Sequence, residues 1–270
     1  MMIKVYPDNF AFLDKYKDFL LSDEVQYSLM LGISQKRNDK YSYISSEIQD
    51  RFLLGVLAGK NLIIAANTMN DDVYIELIEY MSKIDYPGII GTKENCEKYN
   101  DLYKKTCGKS LKLKMNQRIY KCKQVKNYSC NVGSVRLAFL EDLTLLGKWA
   151  LDFYKDIDSG KTLEEARESV VNKINKKTLY VLVVKDEIVS MAARARAMKQ
   201  TETVGFVYTP HKHRRKGYAS RIVEDITRRI HKDGRLAILY TDLDNPTSNS
   251  IYMKIGYIAY CDSVMLNKEV

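Results

Sequence analysis

The chain has 270 residues and a formal net charge of +9, with 46% hydrophobic and 29% charged residues. This composition is typical of a soluble globular protein, and no apolar run approaches the length of about 18 residues that a membrane span requires. The N-terminal segment carries acidic side chains and lacks an apolar core, so it does not resemble a secretory signal and we expect a cytoplasmic protein without a membrane partner.

The cysteines are odd in number and widely spaced, without a C-x-x-C pair. This pattern argues against a disulfide framework and against a zinc site, so we predict reduced structural thiols and no bound metal. The five positions are Cys96, Cys107, Cys122, Cys130 and Cys261.

The positive charge is spread over both halves of the chain, with +4 in residues 1–130 and +5 in residues 131–270. Lys104–Lys126 holds nine basic residues and no acid, and His211–Arg215 is basic throughout. Neither run interleaves aromatic residues as a single-strand binder would, which argues against a nucleic-acid partner. A solvated surface explains the first run, and a phosphate-bearing ligand would use the second.

Residues 1–126 alternate between strand-like and helix-like segments. The apolar runs Arg51–Leu57 and Leu62–Ala66 flank Ala58-Gly59-Lys60, which indicates a hairpin. Asp71 and Asp72 would lie in the first turn of the helix predicted over residues 71–84, where the helix dipole favours acids. The remaining predicted helices are 10–20, 23–31 and 93–105, and the remaining predicted strands are 3–6, 87–91 and 113–122.

Residues 134–266 repeat nearly the same order of elements, after a polar linker at residues 123–133. Trp149 and Phe153 are four residues apart and so share one face of a helix. Leu236–Thr241 is almost continuously apolar, as expected for a strand buried on both faces. The other predicted strands are 134–138, 179–184, 188–196 and 204–208, and the other predicted helices are 141–154 and 163–174.

Residues 203–221 predict a strand, a basic loop and a helix. The strand Val204–Tyr208 ends before Pro210, which lacks a backbone donor. Beyond Gly217, apolar residues recur at helical spacing as far as Gly234. Such a loop directs unpaired N–H groups and the positive end of a helix at one point, and a glycine lets an oxyanion approach closely. The expected ligand is a phosphate.

Two spaced motifs carry a family resemblance. Arg214, Gly217 and Ala219 fit the pattern R/Q-x-x-G-x-G/A, and about 30 residues later a second segment fits N-x-x-A/S-x-x-I/L-Y-x-x-x-G-F/Y. The second set is Asn245, Ser248, Ile251, Tyr252, Gly256 and Tyr257. Over roughly residues 131–266 the chain resembles the GNAT superfamily of acyl-CoA-dependent acyltransferases. Its NPTSN and IGY segments are most similar to the glycine N-acyltransferase-like C-terminal domains.

The resemblance implies how acetyl-CoA would bind. In this fold the central strand and the next parallel strand splay apart, so the pantetheine arm can pair with the exposed strand edge. The groups implied there are those of Phe206, Val207 and Tyr208. The pyrophosphate would be held by backbone N–H groups, with charge from Arg214 and Lys216. The implied donors are those of Arg215, Lys216, Gly217, Tyr218, Ala219 and Ser220.

The resemblance also implies roles for Asn245 and Tyr252. Asn245-Pro246 is typical of a helix start, and the matching Asn of the family contacts the cofactor. The matching Tyr can protonate the leaving CoA thiolate, and a phenol with a pKa near 10 is protonated at neutral pH. The sequence does not identify the general base. Glu202 and Asp242 are the carboxylates expected near the site.

The repeated order of elements predicts an α/β fold with mixed sheets, built from tandem GNAT-like domains. The predicted domains are a degenerate N-terminal copy over residues 1–126 and a catalytic domain over residues 131–270. No R-x-x-G-x-G/A pattern occurs before Arg214, so the first copy is not expected to bind CoA. An unrelated α/β domain in the N-terminal half is the alternative.

The function that this pattern favours is an acetyl-CoA-dependent N-acetyltransferase, in which an amine attacks the thioester directly and Tyr252 acts as general acid. A backbone donor of the central strand would stabilise the charge on the carbonyl oxygen. The alternative is a module that binds CoA or an acidic partner without turnover. The acceptor amine and the oligomeric state are not defined by the sequence.

Overall fold

The computed structural model describes residues 2–35, 37–38, 40–59, 61–126, 132–157 and 159–269. The chain forms two compact units. Unit 1 contains Met1–Ile119, Thr241–Asn245 and Ala259–Val270, and unit 2 contains Tyr120–Tyr240 and Pro246–Ile258. Among the described residues, no helix combines the length and the apolar character needed to cross a bilayer.

Unit 1 is a mixed sheet with helices. Its helices are α1 (Asn9–Ser22), α2 (Ser28–Ser34), α3 (Asp71–Met81) and α4 (Lys93–Cys107). Its strands are β1 (Met2–Tyr6), β2 (Ser42–Ile48), β3 (Arg51–Leu57), β4 (Leu62–Ala66), β5 (Gly88–Thr92), most of β6 (Lys112–Cys122) and the last strand of the chain, β12 (Ile258–Asn267). The strand order is β1-β2-β3-β4-β5-β12-β6.

The register within unit 1 explains its core. β1 to β4 are antiparallel neighbours, β4 and β5 are parallel, and β12 runs antiparallel to β5 with Ser263 opposite Thr92. Val264 and Leu266 of β12 are buried in the same core as Leu77 of α3. The C-terminal strand therefore completes the sheet of unit 1.

Unit 2 repeats this plan. Its helices are α5 (Leu143–Asp156), α6 (Leu163–Asn175), α7 (Tyr218–Lys232) and α8 (Pro246–Ile255). Its strands are β7 (Ser134–Leu137), β8 (Leu179–Val184), β9 (Glu187–Ala195), β10 (Thr201–Tyr208) and β11 (Leu236–Asp242), in the order β11-β10-β9-β8-β7. β7 to β10 are antiparallel, and β10 and β11 are parallel.

The sheet of unit 2 has a hydrophobic core on each face. Val204 and Val207 of β10 belong to a core with Ile226 of α7, whereas Phe206 and Tyr208 pack with Leu146 of α5 and Val170 of α6. Side chains of a strand alternate between the two faces, so α7 covers one face and α5 with α6 covers the other.

The two units share one order of elements, which confirms the predicted mixed α/β fold with a duplicated domain. A strand, two helices, three antiparallel strands, a helix, a parallel strand and a helix follow each other in both. The predicted division at residues 126 and 131 assigned β12 to the second domain, whereas it pairs with β5 of unit 1. The boundary itself falls on residues 127–131, which lie outside the described residues, and it stays a prediction.

β2 was not predicted as a strand because its residues are mostly polar. Ser45 and Ser46 are fully buried in it and donate to the carboxylates of Glu47 (2.6 Å) and Glu76 (2.8 Å). Glu47 also accepts from Lys4 at 3.0 Å, from Lys15 at 2.5 Å and from Tyr16. Burial alone would raise the pKa of Glu47, but these donors outweigh it and hold the pKa well below its ordinary value.

We expect Glu47→Gln to lower the free energy of unfolding at pH 7 by about 1–3 kcal/mol, because the carboxylate loses charge-assisted hydrogen bonds to partly exposed lysines. A lowered folded-state pKa stabilises the protein above the unfolded pKa of about 4.3, and that stability is lost as the pH falls towards the folded value. In urea titrations the variant and the wild type should therefore converge at low pH. An offset that stays constant from pH 7 to pH 3 would contradict this, and the exposed Glu79→Gln serves as control.

Candidate active site

β10 is irregular where the sequence predicts the acyl-binding edge. Gly205 is opposite Ala193 on β9 but Tyr208 is opposite Met191, so one extra residue is inserted between them. Phe206 has a φ of +54°, a left-handed conformation that costs a bulky residue roughly 1–3 kcal/mol. The Phe206 ring is held by Phe153, with ring centroids 4.9 Å apart. The bulge is thus maintained by packing against α5.

On its other side, β10 separates from β11. Their registered pairs run from Thr201–Leu236 to Thr203–Ile238 and then end. Within the described residues, the backbone of β10 beyond Thr203 has no registered partner on β11. The backbone edge of Phe206 to Tyr208 therefore borders a gap, the geometry that an extended amide-bearing ligand needs in order to pair like an added strand.

The loop between β10 and α7 forms a cradle of backbone donors. It spans nine residues, 209–217, and both Arg215 (φ +62°) and Gly217 (φ +77°) are left-handed. The first hydrogen bond of α7 joins Arg221 N–H to the Gly217 carbonyl at 3.0 Å. The three preceding N–H groups have no intrahelical acceptor, no capping side chain reaches them, and the first turn carries no acid. They belong to Tyr218, Ala219 and Ser220.

The Arg214 side chain turns away from this cradle. Its Nε donates to the Thr209 carbonyl at 2.9 Å, and its Nη2 lies 3.5 Å from a carboxylate oxygen of Asp156. The guanidinium lies 6.0 Å from the centre of the Tyr208 ring. In this structure the charge of Arg214 fixes the start of the loop against the end of β10.

Tyr252 of α8 packs in the core on the α7 face, together with Val207 of the bulge and Tyr218 at the start of α7. Its ring lies edge-on to Tyr257, with centroids 6.1 Å apart. Burial raises the pKa of Tyr252 to about 12. Among the described residues no group forms a hydrogen bond with its hydroxyl. Tyr252 is therefore a protonated phenol at neutral pH, and its hydroxyl donates to none of the described groups.

Asn245 and Asp242 form the turn before α8, in unit 1. The Asp242 carbonyl accepts from Asn245 N–H at 3.1 Å, and its Oδ1 accepts from Asp244 N–H at 2.9 Å. α8 begins at Pro246, directly after Asn245. This agrees with the predicted helix start, while the contact of Asn245 with a cofactor stays a prediction.

Glu202, one of the two carboxylates considered as general base, is buried in an ion-pair network. It accepts from Arg194 Nε (2.8 Å) and Nη2 (2.6 Å) and from Arg235 Nη1 (2.9 Å). Arg194 also bonds Asp233 at 2.5 Å. Two guanidinium groups therefore hold the carboxylate at the beginning of β10, before the bulge, which gives Glu202 a structural role.

We expect Arg194→Met to lower the free energy of unfolding by roughly 3 kcal/mol, because it leaves the buried Glu202 carboxylate with a single guanidinium partner. Urea denaturation measures this. Lys212→Met is the matched control, since it removes an exposed partner of Glu187 and should change stability by no more than about 0.5 kcal/mol. Equal effects of the two substitutions would contradict the assignment.

The equivalent helix start in unit 1 is closed to a phosphate. Only four residues, 67–70, join β4 to α3. Asn70 Oδ1 accepts from the N–H groups of Asp72 (3.1 Å) and Val73 (3.3 Å), and Asp71 and Asp72 place two acids in the first turn. β4 pairs with β3 in unbroken register from Leu62 to Ala66. The start of α3 thus lacks the open donors of α7, and β4 lacks the bulge of β10.

Comparisons with known proteins agree with this geometry. Residues 180–266 match a family model described as FR47-like protein. The structure is similar to a GNAT-family acetyltransferase from Colwellia psychrerythraea (TM-score 0.68, 13% identity, 100% of each chain covered) and to a GCN5-related N-acetyltransferase from Kribbella flavida (TM-score 0.65, 13% identity, 93% and 96% covered). No curated protein matches the sequence significantly.

A third similar structure is a tandem GNAT protein from the clavulanic acid biosynthesis pathway (TM-score 0.59, 11% identity, 98% of each chain covered). The chain has a tandem GNAT fold. The GNAT superfamily is supported by the family model and the structures together, whereas the glycine N-acyltransferase-like branch finds no support among them and stays a prediction.

A cavity of about 1050 Å³ lies in unit 1, at the ends of β4, β5 and β12 of its GNAT fold. Two of its lining side chains form hydrogen bonds with carboxylates. Arg118 forms two hydrogen bonds with Asp262 (2.6 and 3.0 Å), and Tyr260 donates to Asp23 at 2.6 Å. The cavity is also lined by Lys93, Glu94 and Asn95 at the start of α4, where Glu94 places an acid in the first turn.

Lys173 and Arg196 were not singled out in the sequence, although both lie over aromatic rings of the strands that border the gap. Lys173 Nζ lies 4.3 Å from the centre of the Phe206 ring, and the Arg196 guanidinium lies 5.0 Å from that of Tyr240. Lys173 comes three residues after the buried Val170, so a charge on the apolar face of a predicted helix could have indicated it. Arg196 follows a strand end, and nothing local distinguishes it.

Proposed function

We propose that unit 2 is an acetyl-CoA-dependent N-acetyltransferase. The observation that carries this proposal is the uncapped, acid-free start of α7 beside the open edge of the bulged strand β10. An N-terminal helix end with free N–H groups is a binding site for phosphate, and Gly217 permits close approach. Phe206 to Tyr208 offer a backbone edge with which the amide-bearing pantetheine arm would pair. The phosphate cradle follows the end of the same strand.

In the proposed reaction a neutral amine attacks the thioester carbonyl, a C–N bond forms and the C–S bond breaks. The Tyr252 hydroxyl gives its proton to the departing thiolate, and the proton of the amine leaves to a base, through water. Backbone N–H groups at the bulge would stabilise the negative charge on the carbonyl oxygen. Glu202 is excluded as the base by its ion pairs, so that role stays open to Asp242 or solvent.

The test is incubation of the whole protein with acetyl-CoA and a broad panel of amines. Free thiol and acetylated amine are measured together, by a thiol reagent and by mass spectrometry. We expect thiol release that depends on the amine and equals the acetylated product. Thiol without acetylated amine would be hydrolysis and would contradict the proposal. Binding of CoA with no release would favour the alternative of a binding module.

We further expect one CoA per chain in a calorimetric titration. Of the two equivalent helix starts, that of α7 is uncapped and free of acids, whereas Asn70 caps α3 and two aspartates there oppose a phosphate. Two equivalent sites per chain would show that the N-terminal copy has kept a cofactor site, contrary to its proposed degeneracy.

A further inference from the structure

Among the described residues, Lys173 and Arg196 have no carboxylate partner, whereas several other cations of unit 2 have one. Arg194 pairs with Glu202, Arg136 with Asp142 and Lys212 with Glu187. Lys173 and Arg196, by contrast, contact only hydroxyl, carbonyl or aromatic groups within the part of the chain that the structure describes. Both are half-buried, where an ammonium or guanidinium without an anion is costly.

Lys173 is directed at the bulge of β10. Its Nζ donates to Ser169 Oγ at 2.6 Å and approaches the Ser169 carbonyl at 3.4 Å, while the Phe206 ring lies beneath it. Tyr154 shares the Ser169 hydroxyl at 2.7 Å, and Lys161 lies over the Tyr154 ring at 4.5 Å. Burial, followed by the charges of neighbouring lysines, lowers the pKa of Lys173 to about 8. The cluster is a positive, partly apolar wall.

Arg196 occupies the matching place across the gap. Its guanidinium lies over the ring of Tyr240 of β11, and its buried Nε has no hydrogen-bond partner among the described residues. Leu239 is in the core on the α7 face, so by alternation Tyr240 points to the face of α5 and α6, as Phe206 does. One cation therefore lies over each of the two strands that border the gap, on the same face.

The two cations lie on the face of the sheet that α5 and α6 cover. α7, which begins at the proposed phosphate cradle, occupies the other face. The carboxylates of α5 with contacts near the end of β10 are Asp152, which accepts from Tyr208 at 3.3 Å, and Asp156, which meets Arg214. They contact neither of the two cations.

We propose that the acceptor of unit 2 is an amine that also carries an anionic group, a carboxylate or a phosphate, and that Lys173 and Arg196 bind that group. This rests on the proposed acetyltransferase function. The anion would supply the missing charge partner for both side chains, and the amine of the same molecule would reach the bulge at Phe206. Lys173 and Arg196 are thus specificity residues.

The test uses four amines that share one aminoethyl group: β-alanine, O-phosphoethanolamine, ethanolamine and ethylenediamine. We expect kcat/KM for one of the two anionic amines to exceed that for ethanolamine by about tenfold or more, the usual effect of one charge-assisted hydrogen bond. β-Alanine and O-phosphoethanolamine separate the carboxylate from the phosphate. Equal kcat/KM values for all four, or a preference for ethylenediamine, would overturn the proposal.

Lys173→Met and Arg196→Met should each lower kcat/KM for the preferred anionic amine at least about tenfold more than kcat/KM for ethanolamine. Lys176→Met and Lys199→Met, exposed neighbours on the same segments, are the matched controls and should keep the preference. Lys173→Met should also retain or raise the melting temperature, because it removes an unpaired half-buried charge. Loss of activity with every amine alike would overturn the assignment.

A binding measurement separates this proposal from the proposed reaction. Calorimetric titration of CoA-saturated protein with β-alanine and O-phosphoethanolamine needs no turnover. We expect binding of at least one, no binding of ethanolamine, and loss of binding in both methionine variants. If an anionic amine binds but no amine is acetylated, the proposed acetyltransferase function is wrong and the proposed anion site is supported. If neither anion binds, the anion site fails.

Discussion

Replacing Gly217 by valine is expected to abolish coenzyme A binding while leaving the fold nearly intact. The loop approaches its ligand through backbone N–H groups, and the left-handed Gly217 (φ +77°) begins α7 beside the open donors of Tyr218 to Ser220. A valine there adds bulk at the cradle and resists the left-handed conformation, which costs an L-residue about 1–2 kcal/mol. Calorimetric titration with CoA measures the loss of affinity.

Gly234 offers a matched control at the other end of the same helix. Its φ is +75°, and a Cβ there would meet nothing within 4 Å. Gly234→Val therefore introduces a similar backbone strain, far along α7 from the cradle, and should lower stability without changing CoA affinity. Unchanged affinity in Gly217→Val would remove the loop from the proposed site.

Tyr252→Phe is expected to lower the rate of acetyl transfer by about 10² to 10⁴, the usual contribution of a general acid. Acetyl-CoA affinity should change little, because the ring still packs against Tyr257 and no described residue bonds the lost hydroxyl. Because burial raises the pKa of Tyr252 to about 12, the phenol remains protonated below that pH. Its ionisation should therefore cause no loss of rate between pH 7 and about 11.

Tyr257→Phe is the control for this substitution. The Tyr257 hydroxyl is 2.7 Å from Thr227 Oγ1 and fully buried, so its loss should reduce stability while the rate is kept. If Tyr252→Phe kept full activity across the pH range, its role as acid would fail. A fall in both the rate and the acetyl-CoA affinity would indicate that Tyr252 lines the pocket and does not donate a proton.

Most elements could be predicted from local patterns. α7 follows from apolar periodicity and β11 from an almost continuous apolar run, and α8 begins after Asn245, where an Asn-Pro pair is typical of a helix start. β2 could not be predicted, because its residues are mostly polar and its buried Ser45 and Ser46 donate to Glu47 of the same strand and to Glu76 of α3. The pairing of β12 with β5 could not be predicted either, because it joins residues more than 160 positions apart in the chain.

Some features of the candidate site could likewise be predicted from local sequence, and others depend on tertiary contacts. The spacing of Arg214 and Gly217 predicts a loop before a helix, and in the structure a left-handed Gly217 directly precedes α7. The engagement of Glu202 by Arg194 and Arg235 depends on which side chains meet across β9, β10 and the end of α7, which no spacing shows. Lys173 over the Phe206 ring is likewise a tertiary contact.

Hydrogen exchange of the whole protein, with and without acetyl-CoA, tests the central claim most directly, because it locates the cofactor by residue. The ligand should slow exchange of the amides of residues 204–221, at the open edge of β10 and the start of α7. Residues 67–73 of unit 1, where Asn70 already caps the helix, should be unchanged. Protection of residues 67–73, or no protection of 204–221 at saturating acetyl-CoA, would contradict the account.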